Sequence, residues 1–205
     1  MFNFGKKKDL RRSDKWLFGT MLLFGVVGLI ASFVLSVEKI HLLEHPDAIL
    51  SCSLNVVLNC ATVMQTWQAT VFGFPNSFIG LIGYPVVITV AVVGLAGMAL
   101  PRWFWRTAFI CYFLGLLFAY WLFFNSVYVI EVLCPWCLFV TFATTLIFAT
   151  VFYYVLRENS FNFRKSYHDK IKVFLEKDFH KLVVACWLIL LVALVFIKFG
   201  ESLFL

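Results

Sequence analysis

Charge is scarce in this chain. Asp, Glu, Lys and Arg make up 14% of its 205 residues, against about 25% in soluble domains. That scarcity excludes a soluble globular domain, a disordered chain and a nucleic-acid module. No internal repeat and no low-complexity tract is present. There is no G-x-G-x-x-G for a dinucleotide or flavin and no C-x-x-C-H for haem. What is there is apolar. Hydrophobic residues reach 62% and the mean hydropathy is +0.92. The composition is that of a polytopic membrane protein.

A bilayer-spanning helix needs about 20 mainly apolar residues. Such runs cover residues 16–37, 78–100, 107–130, 132–156 and 182–197. The last is the shortest, and Lys198 can snorkel at its end. The runs lack the alternation of a barrel, and only helices or closed barrels satisfy their backbone in lipid. The fold class is an all-α integral membrane protein: a four-helix transmembrane bundle plus a fifth transmembrane helix. Residues 1–15 form a basic N-terminus and 16–156 the bundle with an outer loop at 38–76. A basic linker covers 157–181, and 182–205 hold the fifth helix and the outer C-terminus.

The net charge of +6 is a topology signal. Lys6, Lys7, Lys8, Arg11, Arg12 and Lys15 precede the first span. Arg102 and Arg106 join the second to the third. Arg157, Arg164, Lys165, Lys170, Lys172, Lys177 and Lys181 join the fourth to the fifth. Of the 17 Lys and Arg, only Lys39 and Lys198 fall on the other side. The positive-inside rule places the majority in the cytoplasm. The N-terminus is expected inside a cell inner or plasma membrane. The first span is too long for a signal-peptide core and no A-x-A-like site follows it, so it reads as a retained signal anchor.

The loop at 38–76 carries Ile49, Leu50, Leu54, Val56, Val57, Leu58, Trp67, Phe72 and Phe74. A stretch this apolar does not float in water. It is expected to fold back as a lid over the outer end of the bundle, with a short amphipathic helix.

The topology sorts the six cysteines. Cys52 and Cys60 lie in the outer loop, and Cys134 and Cys137 open the fourth helix at its outer end. Disulfides persist on that side. Cys111 and Cys186 lie inside spans and read as small packing residues. In Cys134-Pro135-Trp136-Cys137 the proline suits a first helical turn. Cys134 then sits at the positive helix end, which favours a thiolate. Zinc needs four ligands, and four thiolates in an oxidising compartment are disfavoured, so the pattern points to redox chemistry and no metal. Cys52 and Cys60 are eight residues apart, about 12 Å on a straight helix, whereas a disulfide needs Cα atoms within about 7 Å. Either the segment between them unwinds and they pair, or each exchanges with other partners. Two pairs facing one compartment suggest an electron relay through mixed disulfides. Two structural bridges in a non-enzymatic membrane protein are the competing reading.

A relay needs a terminal acceptor. The redox molecule that lives in the apolar phase is a quinone, menaquinone or ubiquinone. It takes an apolar slot with one or two donors for its carbonyl oxygens. Asn76 and Ser77 start the second span at the depth of Cys134 and Cys137, although a plain helix cap explains them equally well.

The runs 52–60 (CSLNVVLNC), 71–80 (VFGFPNSFIG) and Cys134-Pro135-Trp136-Cys137, in this order, resemble the bacterial branch of the vitamin K epoxide reductase (VKOR) family. The likeness extends over about residues 16–156. DsbB-type quinone reductases place the C-x-x-C in the first outer loop, so the order argues against them. The resemblance implies a four-helix bundle around a quinone with a shuttle pair on the lid. It implies that Cys137 faces the quinone, that Cys134 is its disulfide partner and exchanges with Cys60, and that Cys52 takes electrons from an external thioredoxin-fold (DsbA-like) protein. It implies a hydrogen bond from Asn76 to a quinone carbonyl. Vertebrate members carry tyrosine four residues after the second C-x-x-C cysteine. Here that position is Thr141, a candidate quinone contact that weighs against the alternative of thiol-driven vitamin K epoxide reduction. Some bacterial relatives fuse a thioredoxin-like domain after the fifth helix. This sequence shows none, so a separate partner is expected.

Other residues carry weaker signals. His41, Glu44 and His45 stand at i, i+3 and i+4 in the outer loop, a metal-compatible face for which solvated side chains are the competing reading. Glu131, three residues before Cys134, suits a proton relay or a solvated turn. Trp136 suits interfacial packing, and Pro85 a kink in the second span.

Overall fold

The computed structural model describes residues 12–46, 50–53, 55–176 and 179–203. Lys6, Lys7, Lys8, Arg11, Ile49, Leu54 and Lys177 lie outside the described residues. Among the described residues seven α-helices follow one another: α1 (Arg12–Glu44), α2 (Cys60–Gln65), α3 (Ser77–Leu95), α4 (Arg102–Asn125), α5 (Pro135–Arg157), α6 (Lys165–Glu176) and α7 (Phe179–Leu203). Five of them are long and apolar enough to cross a membrane: α1, α3, α4 with the π-turn Ser126–Ile130, α5 and α7. The protein is a multi-pass membrane protein.

The expected boundaries shift at three places. The first helix does not end at residue 37. It runs to Glu44, because Leu42 is buried and Glu38 and Lys39 find partners in the following loop. The third span ends at Ile130 as expected but begins at Arg102 and not at residue 107, and the fourth starts only at Pro135. The basic linker holds a helix of its own, α6, amphipathic in pattern.

α1 packs on α3 and on α5, and α4 packs on α5. The order around the bundle is therefore α3, α1, α5, α4, with α3 and α4 flanking the open side. Lipid gives apolar helices no hydrophobic reason to associate, so close approach of small residues decides the contacts. On α1 these are Gly25, Gly28, Ser32 and Ser36. A Cβ on Gly28 would meet the Tyr84 ring at 2.3 Å, and one on Gly80 would meet Ser32 Oγ at 2.1 Å. The end of the bundle far from the cysteines is sealed by aromatic contacts, with Trp105 and Tyr154 ring centroids 4.2 Å apart. Buried Asp14 pairs there with Arg157.

α7 lies against α4 and α5. Trp187 Nε1 donates to Tyr120 Oη at 2.7 Å, and Tyr120 Oη shares a 2.9 Å hydrogen bond with Thr145 Oγ1. Lys198 pairs with Glu131 at 2.6 Å. Glu131 has φ +58° and ends the π-turn, so its carboxylate is turned toward α7. Cys111 and Cys186, expected as packing residues, are both exposed. Cys111 is on the wall of the cavity inside the bundle, and being apolar and mid-span brings neither residue into the packed core.

Candidate active site

The loop between α1 and α3 folds back on the bundle. Leu50, Cys52, Cys60 and Met64 are buried with Leu35 and Leu42 of α1 and with Cys134. Its backbone bends where asparagines replace the helical ladder. Asn55 Oδ1 accepts from Val57 N at 3.0 Å and Leu58 N at 2.7 Å, the local bonding that competes with helix. Asn59 then caps α2 by accepting from Thr62 N. The eight-residue spacing is thereby unwound, and Cys52 and Cys60 form a disulfide with Cα atoms 5.6 Å apart. Of the two alternatives left open by the spacing, pairing is the one observed.

A second set of backbone bonds ties this loop to the C-x-x-C. Leu133 N donates to Val57 O at 2.7 Å, and Asn59 N donates to Leu133 O at 3.0 Å. This short parallel bridge joins Leu58, two residues before Cys60, to Leu133, the residue before Cys134. Its consequence is a distance of 3.2 Å between the Cys60 and Cys134 sulfurs. Both cysteines are shut off from solvent, at 0% and 1% exposure.

The outer turn of α1 grips the two arms of the loop with adjacent side chains. Glu38 Oε1 accepts from Ser51 N at 3.3 Å and from the Ser51 hydroxyl, just before Cys52. Lys39 Nζ donates to Met64 O at 2.7 Å, on the helix that Cys60 opens.

Cys134 is the N-cap of α5 and Pro135 its first residue. A hydrogen bond from the Cys137 thiol, more than the backbone N–H groups of Trp136 and Cys137, holds the Cys134 thiol below its ordinary range, while burial and the Glu38 carboxylate work against this. The thiolate is the attacking form in exchange. With Cys52–Cys60 oxidised and Cys134 reduced, exchange between Cys134 and Cys60 is expected to level off at a lower pH than for an ordinary thiol. Below the lowered pKa its rate should fall about tenfold per pH unit. Acid quenching followed by alkylation and mass mapping checks this; a profile that rises steadily to pH 9 contradicts it.

Cys134 and Cys137 border a cavity of about 670 Å³ enclosed by α1, α3, α4, α5 and the loop. Its size is ordinary for a cofactor-sized ligand. The walls are almost wholly apolar, and it opens between α3 and α4, where Gly83 and Gly115 leave empty space. Asn76, Ser77 and Thr141 all line it. Asn76 is not a side-chain cap; its Nδ2 donates to Gln68 O at 2.6 Å and its Oδ1 accepts from Val71 N. One N–H and one lone pair of that carboxamide remain for another partner. Ser77 Oγ accepts from Ser36 Oγ at 2.8 Å. Thr141 Oγ1 donates back to Cys137 O at 3.0 Å. Trp136 packs against the loop cluster and Phe139. His41 and His45 meet edge to face at 5.3 Å, and no group of three His, Cys, Asp or Glu among the described residues could hold a metal.

Two wall residues escaped the reading of the sequence. Tyr84 Oη shares a 2.9 Å hydrogen bond with Thr144 Oγ1, joining α3 to α5 across the cavity. Lys39 brings the one charge among the cavity's lining residues. Its only signal in the sequence was its place on the wrong side of the charge asymmetry.

The family model described as Vitamin K epoxide reductase family (VKOR) matches residues 20–152. The chain belongs to the VKOR family. It is therefore a membrane thiol oxidoreductase, and the matched stretch contains all four cysteines gathered at this end of the bundle. No curated protein matches the chain.

Proposed function

We propose that this VKOR protein oxidises dithiols outside the cytoplasm and passes their electrons to a membrane quinone. The donor is a separate thioredoxin-fold, DsbA-like protein, and the outcome is disulfide bond formation. The 3.2 Å contact between the Cys60 and Cys134 sulfurs carries this reading. It joins two cysteine pairs into one path, which two independent structural bridges would not need.

The donor reduces Cys52–Cys60 through a mixed disulfide on Cys52. The Cys60 thiolate then attacks Cys134 of an oxidised Cys134–Cys137 pair. The Cys60–Cys134 bond forms, and Cys137 leaves as a thiolate. Cys52 attacks Cys60, closes the loop disulfide and releases Cys134 as the low-pKa leaving group, a property that speeds the step. The pair at α5 now holds two electrons at the cavity wall. A quinone bound in the cavity supplies the two-electron acceptor; Asn76 offers its free N–H to a carbonyl oxygen, with Ser77 and Thr141 beside it. The opening between α3 and α4 gives an apolar tail access from lipid. The charge asymmetry supports an N-terminus in the cytoplasm and cysteines on the opposite face.

The test is quinone reduction by purified protein supplied with a reduced thioredoxin-fold dithiol. Wild type should turn over, and Cys60→Ser and Cys137→Ser should both fall to background. Turnover that survives in Cys60→Ser means the donor reaches the C-x-x-C directly. No turnover with any quinone removes the acceptor from the scheme.

A further inference from the structure

Lys39 and Lys198 are the two basic residues that break the charge asymmetry of the chain. Lys198 is accounted for by Glu131. Lys39 has no such answer. Its Nζ donates to one neutral carbonyl, Met64 O, and among the described residues no carboxylate pairs with it. It is half-buried, and it lines the same cavity as Cys137 and Asn76. A charged group at membrane depth is costly and calls for a compensating partner. A carbonyl is a weak one, and an ammonium has two further N–H groups to offer.

The partner can be transient. Reduction of a quinone carries two electrons from the Cys134/Cys137 dithiol onto an acceptor whose oxygens gain negative charge before they gain protons. A cation preplaced where charge develops is worth most in an apolar, water-poor site. We propose that Lys39 is a further catalytic group of this reaction, contacting the acceptor oxygen, neutralising its developing charge and delivering one of its two protons. The inference rests on the quinone reading above. The balance is complete within it. The Cys134–Cys137 bond forms, and the pair loses two electrons and two protons. The Cys137 proton goes to the acceptor and the Cys134 proton to water. Lys39 breaks one N–H bond as an acceptor O–H forms, and the amine regains a proton from water at the cysteine end.

A clamp on the lid is the rival role, because Lys39 also holds α2. Binding separates the two without any turnover. The probes are a hydroxynaphthoquinone, an anion at neutral pH, and its neutral methyl ether, titrated against the full chain in nanodiscs. Lys39→Met should lose about 10- to 100-fold in affinity for the anion, the worth of one charge-assisted hydrogen bond. It should keep its affinity for the ether within about threefold, the usual context-dependent scatter for one contact. Lys39→Arg should hold the anion within about tenfold of wild type, having kept the charge but not the geometry. Equal losses for both probes, or no loss for either, overturn the proposal and leave Lys39 as a clamp or a bystander. Wild type that binds neither probe overturns the quinone reading itself, and the role of Lys39 with it.

Discussion

Serine at both Cys52 and Cys137 is expected to leave the lid locked to α5 by a Cys60–Cys134 disulfide. With their usual partners gone, the two remaining sulfurs lie 3.2 Å apart. A disulfide bond is about 2.05 Å, so closure needs a shift of only about 1 Å. The backbone is already committed to that approach. Asn59 N and Leu133 N fix the neighbouring residues against each other, and the two sulfurs are buried where no small thiol competes. Mild oxidation should therefore give nearly complete cross-linking, read as a linked pair of peptides that separates on reduction. Turnover should drop by more than about 10³-fold, since neither pair can complete its exchange. Cys60→Ser added to the same background should abolish the link. Absence of the link under oxidation would make the short sulfur contact incidental and turn Cys52–Cys60 into a structural bridge.

The parts of this machine that depend on local pattern were legible in the sequence. Cys134-Pro135-Trp136-Cys137 announces a helix start by its proline, and Cys134 is the N-cap of α5. The five spans follow from apolar length alone. The spacing of Cys52 and Cys60 left pairing undecided, because the answer lies in side chains between them. Asn55 and Asn59 bond to the backbone and unwind it, and nothing in an eight-residue interval dictates that. The end of α1 was misplaced for a related reason. Charges at Glu38 and Lys39 look like the edge of a span until Ser51 and Met64, distant in sequence, supply their partners. Asn76 and Ser77 showed themselves as a possible cap, whereas in the fold Asn76 bonds Gln68 O and Ser77 meets Ser36 of α1. Tyr84 was invisible among apolar neighbours, since its hydroxyl matters only once α5 brings Thr144 to it.

Leucine at Gly28 is expected to be among the most damaging single substitutions in the chain, although it removes no polar contact and adds only apolar surface. In lipid the transfer of an added leucine costs nothing. The penalty is one of distance. A bare Cβ at Gly28 would already lie 2.3 Å from the ring of Tyr84, before the rest of the side chain is built. Tyr84 cannot swing aside cheaply. It is 7% exposed, and its hydroxyl ties α3 to Thr144 of α5. Either α1 and α3 separate, losing the close contacts at Gly25 and Gly80 as well, or the Tyr84–Thr144 bond breaks and the ring enters the cavity. The first route costs overpacking strain of about 1–3 kcal/mol together with lost contact along the helix pair. The second costs about 1 kcal/mol for the hydrogen bond and takes space from the ligand. Both lower stability, and the second also narrows the cavity proposed to hold the quinone. Unfolding of Gly28→Leu in detergent, beside Gly19→Ala, measures the effect. Nothing lies within 4 Å of a Cβ on Gly19, so alanine there should be neutral or gain up to about 1 kcal/mol in helix propensity. Equal stability of the two variants would mean that α1 and α3 yield easily, and that the walls of the cavity are set by α5 instead.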